Sequence, residues 1–436
     1  MIVPATRAIV LVAVGGGALA LTAAVLPAAT PAAIALAAVL AIVLTLDALS
    51  ATRNAKGISA SAPDMQRTAR GRSTTLPLTV ANRAAAQAIE IALQVPTEFR
   101  LTKETEACGT IGSDKQVTLP LEFKVTRRGE YKLEQCSART ASKLGLWSIH
   151  RLLPIATTIR VYPDLIADGT AAEFLQRGKP GARVIPRSGK GREFEKLREY
   201  LPGDSWDEID WKATARRGKP VVRVFQIERT QEIYVALDAS RLSGRTSGPD
   251  TTLDRYVHAA LVMALAAEAQ GDRFGLIAFS NRIHTFVRAA SGKAHFKICR
   301  EAIYALQPQP VEPDFGELFA FLQTRLTRRA LVIVLTSLDD PLAGETFSHH
   351  VGLASRRHLV IAAMPAIAGA RPMFQTPAEN IDDIYEGLGG HLRWRQLAEL
   401  KKSCERKGVP LHFLAPEKIT GQLAGIYLDV KRRQQL

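Results

Sequence analysis

The hydrophobic positions divide the chain into regions with different periodicities. An unbroken apolar stretch runs from Ala8 to Leu46 without a charged residue, which is typical of helices that span a membrane. Residues 73–163 hold short β-rich runs separated by Gly, Pro, Asn and Asp, a spacing that predicts a small β-sandwich. From Glu232 onward apolar strands alternate with helical segments, and this alternation predicts a mostly parallel, doubly wound α/β sheet.

These patterns predict a multidomain chain of four segments. Residues 1–50 are expected to form a transmembrane helical hairpin, and residues 51–163 a β-rich, sandwich-like domain. Residues 164–230 form a densely charged segment that joins this domain to the next. Residues 231–436 are expected to fold as the α/β domain.

Two prolines, Pro27 and Pro31, divide the apolar stretch into two runs. The first run, Ala8 to Leu26, is long enough at ~1.5 Å per residue to cross a hydrocarbon core. A cleaved signal peptide is the alternative, because Arg7 precedes this run and small residues follow it. The second apolar run favours the hairpin, which would contact the lipid bilayer through residues 8–46.

Basic residues flank both ends of the predicted hairpin, where Arg7 precedes it. Between positions 51 and 72, Asp64 is the one acidic residue, and the basic residues are Arg53, Lys56, Arg67, Arg70 and Arg72. Basic flanks of a membrane helix stay on the cytoplasmic side. We therefore expect both ends of the hairpin, and all soluble domains, to lie in the cytoplasm.

The composition adds two constraints. The formal net charge is +15, which suits an acidic partner or an anionic lipid surface. Because the sequence holds no nucleic-acid-binding motif, we expect no nucleic-acid partner. The four cysteines form no C-x-x-C pair; they are Cys108, Cys136, Cys299 and Cys404. Such spacing predicts buried thiols in a reducing compartment.

Short helices are predicted within the charged segment. Residues 173–178 and residues 191–204 have the composition of helices, and residues 206–218 are expected to form another helix or an irregular turn. Residues 221–228 have the pattern of a strand.

Two tryptophans, Trp206 and Trp211, lie inside this polar segment. Aromatic side chains bury large apolar areas, so both are expected to be anchors that hold the segment against a neighbouring domain. Truncation of Trp211 is then expected to cause mainly a folding defect.

The charged segment also carries a long motif. The string REFEKLREYLPGDSWDEIDWKATAR begins at Arg192 and is followed by VRVF, ER and LDAS. This combination resembles the signature of the bacterial family catalogued as domain of unknown function 58. The resemblance implies a protein anchored in the bacterial inner membrane with a von Willebrand factor A-like domain. It further implies a MoxR-type AAA+ ATPase as partner, and no established activity.

Charged residues within this string match the family's signature; they are Glu193, Arg198, Asp204, Asp210 and Arg216. They could form a face for a partner, or they could lock the segment onto the α/β domain. The second interpretation is favoured because buried charges require matched partners.

The resemblance implies a metal site. A-like domains usually hold a divalent cation through D-x-S-x-S, a distant Thr and a distant Asp, oxygen ligands that suit Mg²⁺. Asp238 and Ser240 match the first two positions, but Leu242 occupies the third. Ser337 stands where the distant Asp is expected, and Asp339 follows two residues later. We therefore predict a weak, remodelled site of Asp238, Ser240 and Asp339, or no bound ion.

The alternative interpretation needs no metal. Asp238 and Ser240 would then accept hydrogen bonds from backbone N–H groups in the turn that follows the strand. The loop that should supply the distant Thr offers Asp314 instead. No other cofactor is predicted.

The sequence contains no catalytic motif that we recognise. It has no G-x-S-x-G elbow and no H-E-x-x-H, and RSGKG at residues 187–191 departs from the phosphate loop at two positions. We therefore expect no enzymatic activity.

Three loops are expected at the carboxyl ends of the strands, over residues 238–248, 307–314 and 337–344. They carry charged residues with no evident internal role, and those predicted to bind a partner are Arg241, Asp314, Asp339 and Asp340. The resulting hypothesis is a membrane-tethered protein-interaction module, an adaptor of a MoxR-type AAA+ ATPase in protein maturation or complex assembly. The alternatives are a metal-dependent adhesion or sensing domain, and a cell-envelope enzyme.

Overall fold

The chain divides into two compact units, Met1–Asp164 and Leu165–Leu436. The computed structural model describes residues 1–83, 87–101, 106–112, 115–165, 188–202, 204–226, 231–373 and 380–433. The helix predicted over residues 173–178 lies outside these described residues.

The first unit begins with a helical hairpin. Helices α1 (Thr6–Val25) and α2 (Thr30–Lys56) are joined by a 3-10 turn over Pro27–Ala29. Pro31 lies in the first turn of α2, where its missing N–H removes no helical hydrogen bond. Both helices are long and apolar enough to cross a membrane. The second apolar run was expected to end near Leu46, and α2 continues past it.

Both ends of the hairpin are attached to the same β-sheet. Strand β1 (Ile2–Pro4) pairs antiparallel with residues 147–149. At the other end, Trp147 Nε1 donates to the Leu44 carbonyl at 3.0 Å, and Arg151 donates to the Ala55 carbonyl at 2.7 Å. The hairpin therefore leaves the β-rich part of this unit and returns to it.

The strands that follow form two sheets around one core. They are β2 (Ile58–Ser61), β3 (Met65–Ala69), β4 (Ser73–Asn82), β5 (Gln87–Leu93), β6 (Phe99–Leu101), β7 (Glu106–Ile111), β8 (Lys115–Val125), β9 (Gly129–Ala141) and β10 (Trp147–Tyr162). One sheet has the order β1-β10-β9-β5-β7, with β3 also paired to β10, and the other has the order β2-β4-β8-β6. Alternate side chains of both sheets meet in the core, among them Leu76, Leu78, Ile89, Ile91 and Phe123.

The charged segment contains a two-stranded ribbon and one short helix. Strand β11 (Ser188–Glu199) pairs antiparallel with β12 (Val221–Gln226), and helix α3 (Trp211–Arg217) lies between them in sequence. The helix predicted over residues 191–204 is therefore wrong up to Glu199. The hydrogen bonds to β12 outweigh the local helical composition, because intrinsic propensity is a weak preference that tertiary pairing overrides.

The second unit is built on a six-stranded sheet. The remaining strands are β13 (Glu232–Asp238), the two-residue pair β14 (Thr246–Ser247) and β15 (Asp250–Thr251), β16 (Arg273–Phe279), β17 (Ile283–Ala290), β18 (Leu331–Leu335), β19 (Leu359–Pro365) and β20 (Leu411–Leu414). The order is β17-β16-β13-β18-β19-β20, and all neighbours are parallel except β16 and β17. Strand β13 is central, so its carboxyl end lies in the middle of one sheet edge.

Helices cover both faces of this sheet. They are α4 (Thr252–Ala269), α5 (Lys293–Ile303), α6 (Phe315–Arg325), α7 (Pro341–Ser355), α8 (Ile381–Arg406) and α9 (Ile419–Arg432). Ile233, Val235 and Leu237 of β13 face a core that includes residues of α4 and α9. Tyr234 and Ala236 face a second core that includes residues of α6 and α7. Because β13 is buried on both faces, its sequence is continuously apolar.

Three cysteines are free and buried, which confirms the predicted thiols at Cys136, Cys299 and Cys404. Burial raises their pKa values to about 11, about 12 and about 11, respectively. These thiols are therefore poor nucleophiles at neutral pH. The side chain of Cys108 lies outside the described residues.

Candidate functional site

The candidate site begins at Asp238, the last residue of the central strand. Its side chain is 1% exposed. One carboxylate oxygen, Oδ1, accepts a hydrogen bond from the Ser240 backbone N–H at 2.8 Å, and Oδ2 accepts from the Thr336 hydroxyl at 2.6 Å. Burial raises the pKa of Asp238 above its usual value, since removal from water disfavours the charged form. The carboxyl group thus organises the loop as the metal-free interpretation predicts.

Thr336 is a site residue that sequence reasoning missed. Leu237 of β13 is aligned with Leu335 of β18, so the residues that follow them, Asp238 and Thr336, emerge side by side. The Thr336 carbonyl also accepts a hydrogen bond from the hydroxyl of Tyr256 in α4 at 2.9 Å. The sequence does show a hydroxyl residue directly after an apolar strand. Only the strand order, however, reveals that this residue lies beside Asp238.

The loops after the strands are held together by backbone hydrogen bonds. The Gln309 N–H donates to the Ala239 carbonyl at 2.7 Å, and the Arg241 N–H donates to the Val311 carbonyl at 2.9 Å. We call the surface formed by residues 238–248, 307–314 and 337–344 the rim. The first two of these loops are therefore joined to each other through their backbones.

The charged residues of the rim are paired with one another. Arg241 contacts Glu312 at 2.6 Å and lies 4.0 Å from Asp340, while Arg245 pairs with Asp339. The prediction that these charges have no internal role is therefore wrong. The rim holds two basic and five acidic residues, so it keeps an excess of negative charge, and most of the paired side chains reach the surface.

Two rim carboxylates also cap helices. Asp314 precedes α6 and accepts a hydrogen bond from the Glu317 N–H at 2.9 Å. Asp340 precedes α7 and accepts from the Leu342 N–H at 3.0 Å. Such caps satisfy backbone donors that a helix cannot pair internally, so both residues contribute to the fold.

The fit of a divalent cation to Asp238, Ser240 and Asp339 is incomplete. The Ser240 hydroxyl and Asp339 Oδ1 are buried without a hydrogen-bond partner, and these oxygens would suit a cation. However, both oxygens of Asp238 already accept hydrogen bonds, and the guanidinium of Arg245 occupies Oδ2 of Asp339. Within the described residues, no three His, Cys, Asp or Glu side chains are grouped as a metal centre. Arg245 supplies the positive charge that an ion would bring.

A groove of about 1000 Å³ continues from the rim between α7 and α8. Arg245 and Asp339 line one part of it. Elsewhere the Ser348 hydroxyl pairs with that of Ser403 at 2.9 Å, and the Lys407 ammonium contacts Ser348. Ser348, Ser403 and Lys407 are thus bonded to one another, and the groove offers shape and charge to a ligand.

In the charged segment, Arg198 and Asp204 form a bidentate ion pair in which both N–O distances are 2.7 Å. Asp204 also accepts a hydrogen bond from the Leu201 N–H at 2.9 Å. The hydrogen bonds from Arg198, followed by that from Leu201, lower the pKa of Asp204. This pair closes the turn after β11.

Asp210 closes the next turn of the same segment. It caps α3 by accepting hydrogen bonds from the Lys212 and Ala213 N–H groups at 3.0 Å, and it lies 3.3 Å from Arg223. The Ala213 hydrogen bond is the largest of the effects that lower the pKa of Asp210. Arg198, Asp204 and Asp210 thus stabilise the segment itself.

The remaining two signature residues, Glu193 and Arg216, lie on different elements of the segment. Glu193 lies in β11, aligned with Gln226 of β12, and Arg216 is exposed on α3.

Both tryptophans of this segment are exposed, Trp206 by 70% and Trp211 by 66%. Trp206 contacts Tyr200 with ring centroids 5.8 Å apart. The prediction that both are buried anchors is therefore wrong, and the folding defect expected of Trp211 truncation loses the burial on which it rested. Hydrogen bonds and ion pairs hold the short turns here, so the aromatic rings are not needed as a core.

A central strand that ends in Asp-x-Ser lies within a mostly parallel sheet covered by helices on both faces, which is the doubly wound arrangement expected of an A-like α/β domain. Residues 196–365 match the model of a family described as "Protein of unknown function DUF58". This match, which we call the DUF58 segment, agrees with the sequence resemblance.

Two curated relatives of this chain carry the description "Uncharacterized protein". A protein of Mycobacterium tuberculosis (strain ATCC 25618 / H37Rv) is 25% identical over 181 residues, which cover 41% of this chain and 56% of the relative. The protein YeaD of Bacillus subtilis (strain 168) is 25% identical over 126 residues, covering 28% and 31%. The chain thus spans about half of the length of the mycobacterial relative, and less of YeaD.

The solved structures that the comparison matched include a conserved hypothetical protein, BatB, from Bacteroides thetaiotaomicron. It is 17% identical, with a TM-score of 0.31, over 46% of this chain and 99% of that one. The SpRpn10 VWA domain is 8% identical, with a TM-score of 0.28, over 44% of this chain and 94% of that one.

Proposed function

We propose that this protein is a non-enzymatic interaction module, tethered to a membrane, which acts as an adaptor of a MoxR-type AAA+ ATPase. The DUF58 segment supports the choice of partner, since the family resemblance implies an ATPase of this kind. The observation that carries the proposal is the exposure of Trp206 and Trp211 within that segment. Exposed aromatic residues on a fixed scaffold are typical of protein interfaces.

The scaffold around the tryptophans suits a docking surface. The Arg198–Asp204 pair and the Asp210 cap fix the backbone on either side of Trp206 and at the start of α3. A rigid backbone lowers the entropy that an interface loses on binding. Tryptophan is also among the residues that contribute most to binding energy when a partner covers them.

Replacement of either tryptophan by alanine should weaken binding of the ATPase without unfolding the protein. We expect Trp206→Ala and Trp211→Ala each to reduce affinity by about 30-fold, the equivalent of a ~2 kcal/mol hot spot. Their stabilities should stay within ~0.5 kcal/mol of wild type, because both side chains are exposed. Affinity would be measured with the purified full chain and a purified MoxR-type ATPase from the same organism.

Leu353→Ala is the matched control, because Leu353 is a 60% exposed apolar residue on α7, outside the charged segment of residues 164–230. It should bind the ATPase as wild type does. If both tryptophan variants bind the ATPase normally, we would assign the docking surface to the rim. Its predicted partner-binding residues are Arg241, Asp314, Asp339 and Asp340. A wild-type chain that does not bind the ATPase at all would refute the adaptor role.

We further propose that the helical hairpin lies in the bacterial inner membrane with both soluble units in the cytoplasm. The basic residues on either side of the hairpin support this orientation, as does the attachment of both hairpin ends to one sheet. A reporter fused after Leu436 should be active in its cytoplasmic form and silent in its periplasmic form. The reverse pattern would place the soluble units outside the cytoplasm.

A metal-dependent adhesion or sensing domain is the second candidate function. The unpartnered, buried oxygens of Ser240 and Asp339 favour it. It requires that Mg²⁺ bind at Asp238 strongly enough to stabilise the fold, whereas the adaptor function requires no ion. No observation favours a cell-envelope enzyme.

A further inference from the structure

The turn between β9 and β10 lies against the base of the helical hairpin. We call residues 142–146, which form this turn, the hairpin-base turn. The Leu144 N–H donates to the Asp47 carboxylate of α2 at 3.2 Å. The Leu146 carbonyl accepts from the Ala5 N–H, directly before α1, at 2.8 Å. The turn is therefore bonded to both ends of the hairpin.

The lengths of the two helices place these contacts at the edge of the bilayer. A helix needs about 20 residues to cross the hydrocarbon core. Helix α1 has 20 residues and begins at Thr6. In α2, about 20 residues counted from Thr30 end near Leu49. Ala5 and Asp47 lie within one helical turn of these limits, so the hairpin-base turn is bonded where hydrocarbon meets the headgroups.

Strand β10 leads away from this edge. Trp147 Nε1, at the start of the strand, donates to the Leu44 carbonyl, whereas Arg151 donates to the Ala55 carbonyl. Ala55 lies about 16 Å further along α2 than Leu44, at ~1.5 Å per residue. The strand therefore runs along α2 away from the bilayer, and the turn that precedes it lies on the lipid side.

The side chains of the turn suit a lipid surface. Leu144 is 57% exposed, although its backbone is bonded to a transmembrane helix. Trp147, which follows the turn, is half-buried, and tryptophan is enriched at membrane interfaces. Lys143 is exposed, and Arg7 lies close to Gly145, where an added Cβ would be 3.3 Å from Arg7 Nη1. An apolar side chain flanked by basic ones is typical of segments that lie in the membrane interface.

Charge indicates the class of lipid. From residue 135 to residue 163 the sequence holds no Asp or Glu, and its Lys and Arg residues are Arg139, Lys143, Arg151 and Arg160. Arg139 and Arg160 pair with glutamates on neighbouring strands. Asp47, the acidic residue in contact with the turn, is 4% exposed and presents little charge to the surface. A basic surface next to a membrane attracts anionic lipids.

We propose that the hairpin-base turn is a second lipid contact of this protein, in which Leu144 enters the bilayer beside the hairpin. Lys143 and Arg7 bind the phosphate groups of anionic phospholipids. This contact rests on the placement of the hairpin in a membrane. Because the turn belongs to the same sheet as β9 and β10, lipid bound here fixes how that sheet stands on the membrane surface.

A fluorescent label can measure the depth of the turn. The full chain with Cys108→Ser and Leu144→Cys would be labelled with an environment-sensitive dye and reconstituted in vesicles of phosphatidylglycerol and phosphatidylcholine. The described native cysteines are buried and should not react. Phospholipids with a nitroxide near the glycerol end of the acyl chain should quench this label about as strongly as one at Leu46→Cys, a 60% exposed position on α2.

Met65→Cys is the matched control, because Met65 is 42% exposed on the same sheet. Met65 is aligned with Thr158 of β10, which lies on the order of 35 Å along the strand from Trp147. A label at Met65 should therefore be quenched at least twofold less than a label at Leu144.

Charge reversal tests the class of lipid. Lys143→Glu should reduce quenching of the Leu144 label at least twofold in these vesicles, and should change it little in vesicles of phosphatidylcholine alone. Lys132→Glu is the control, since Lys132 is exposed and lies opposite Thr158, far from the turn on the same sheet. It should leave the quenching unchanged in both kinds of vesicle.

A quenched label at Leu46 with an unquenched label at Leu144 would overturn the lipid contact of the turn and leave the membrane hairpin intact. Quenching at neither position would overturn both. Equal quenching at Leu144 and Met65 would also contradict the contact, since the dye itself would then enter the lipid. If Lys143→Glu and Lys132→Glu behave alike, the turn does not bind anionic headgroups. None of these results depends on the ATPase, so the lipid contact and the adaptor role fail separately.

Discussion

Asp238→Asn should make the protein more stable than wild type at pH 8, on the order of 1–3 kcal/mol, because it removes a buried charge while keeping the shape of the side chain. The asparagine Oδ1 can accept the Ser240 N–H, and its amide can donate to the Thr336 hydroxyl. Asp238→Ala should be about 2–4 kcal/mol less stable than Asp238→Asn, since it leaves both partners buried and unpaired.

The stability that Asp238→Asn gains over wild type should increase as the pH rises. Burial raises the pKa of Asp238 in the folded state, so between the unfolded and folded pKa values the folded protein holds more protons than the unfolded one. Wild-type stability from this group therefore falls as pH rises above ~4 and levels off once the folded carboxyl has ionised. The difference between Asp238→Asn and wild type should be small near pH 4 and largest near pH 8, as measured by urea unfolding of the full chain.

Binding of Mg²⁺ at Asp238 would instead make the wild-type protein more stable than Asp238→Asn. A site with micromolar affinity would add ~4 kcal/mol to wild-type stability at millimolar Mg²⁺. We expect a much smaller effect, because Arg245 already neutralises Asp339. A large Mg²⁺-dependent stabilisation that Asp238→Asn abolishes would contradict this expectation and favour the metal-dependent alternative.

Asp272→Ala should be the most damaging single substitution that we consider, at about 3–5 kcal/mol, because it breaks a buried network that holds the last helix. Asp272 is 1% exposed. It accepts hydrogen bonds from the Tyr427 hydroxyl at 2.5 Å and from the Lys431 ammonium at 2.7 Å, both on α9. Its other oxygen accepts from the Gln231 N–H, directly before β13, at 3.1 Å.

The expected loss follows from what remains after the substitution. The Tyr427 hydroxyl is buried and the Lys431 side chain is only 27% exposed, so neither can regain full hydration. Asp429→Ala is the control on the same helix, since Asp429 pairs at 3.7 Å with Arg432 at the surface. It should unfold in urea as wild type does. Equal loss in both variants would show that α9 is sensitive to any change of charge.

Sequence alone identified the features that depend on local pattern. The two apolar helices, the short strands that follow them and the alternating α/β unit could be predicted from the sequence. The reason is that apolar residues recur with the period of the helix or strand whose face is buried. The DUF58 segment was identified because its motif is long and locally contiguous. Asp238 and Ser240 were identified as the turn at the end of a strand for the same reason.

Other features were decided by which segments meet in space. Residues 191–199 have the composition of a helix, but pairing with β12 makes them a strand. Trp206 and Trp211 were expected in a core, yet the ion pairs around them leave the rings exposed. Thr336 became part of the site because β18 lies beside β13, and Arg245 reaches Asp339 across a separation of 94 residues. Hydrogen bonds and ion pairs between distant residues leave no periodic trace in a single sequence, so only the tertiary structure could assign these residues their partners.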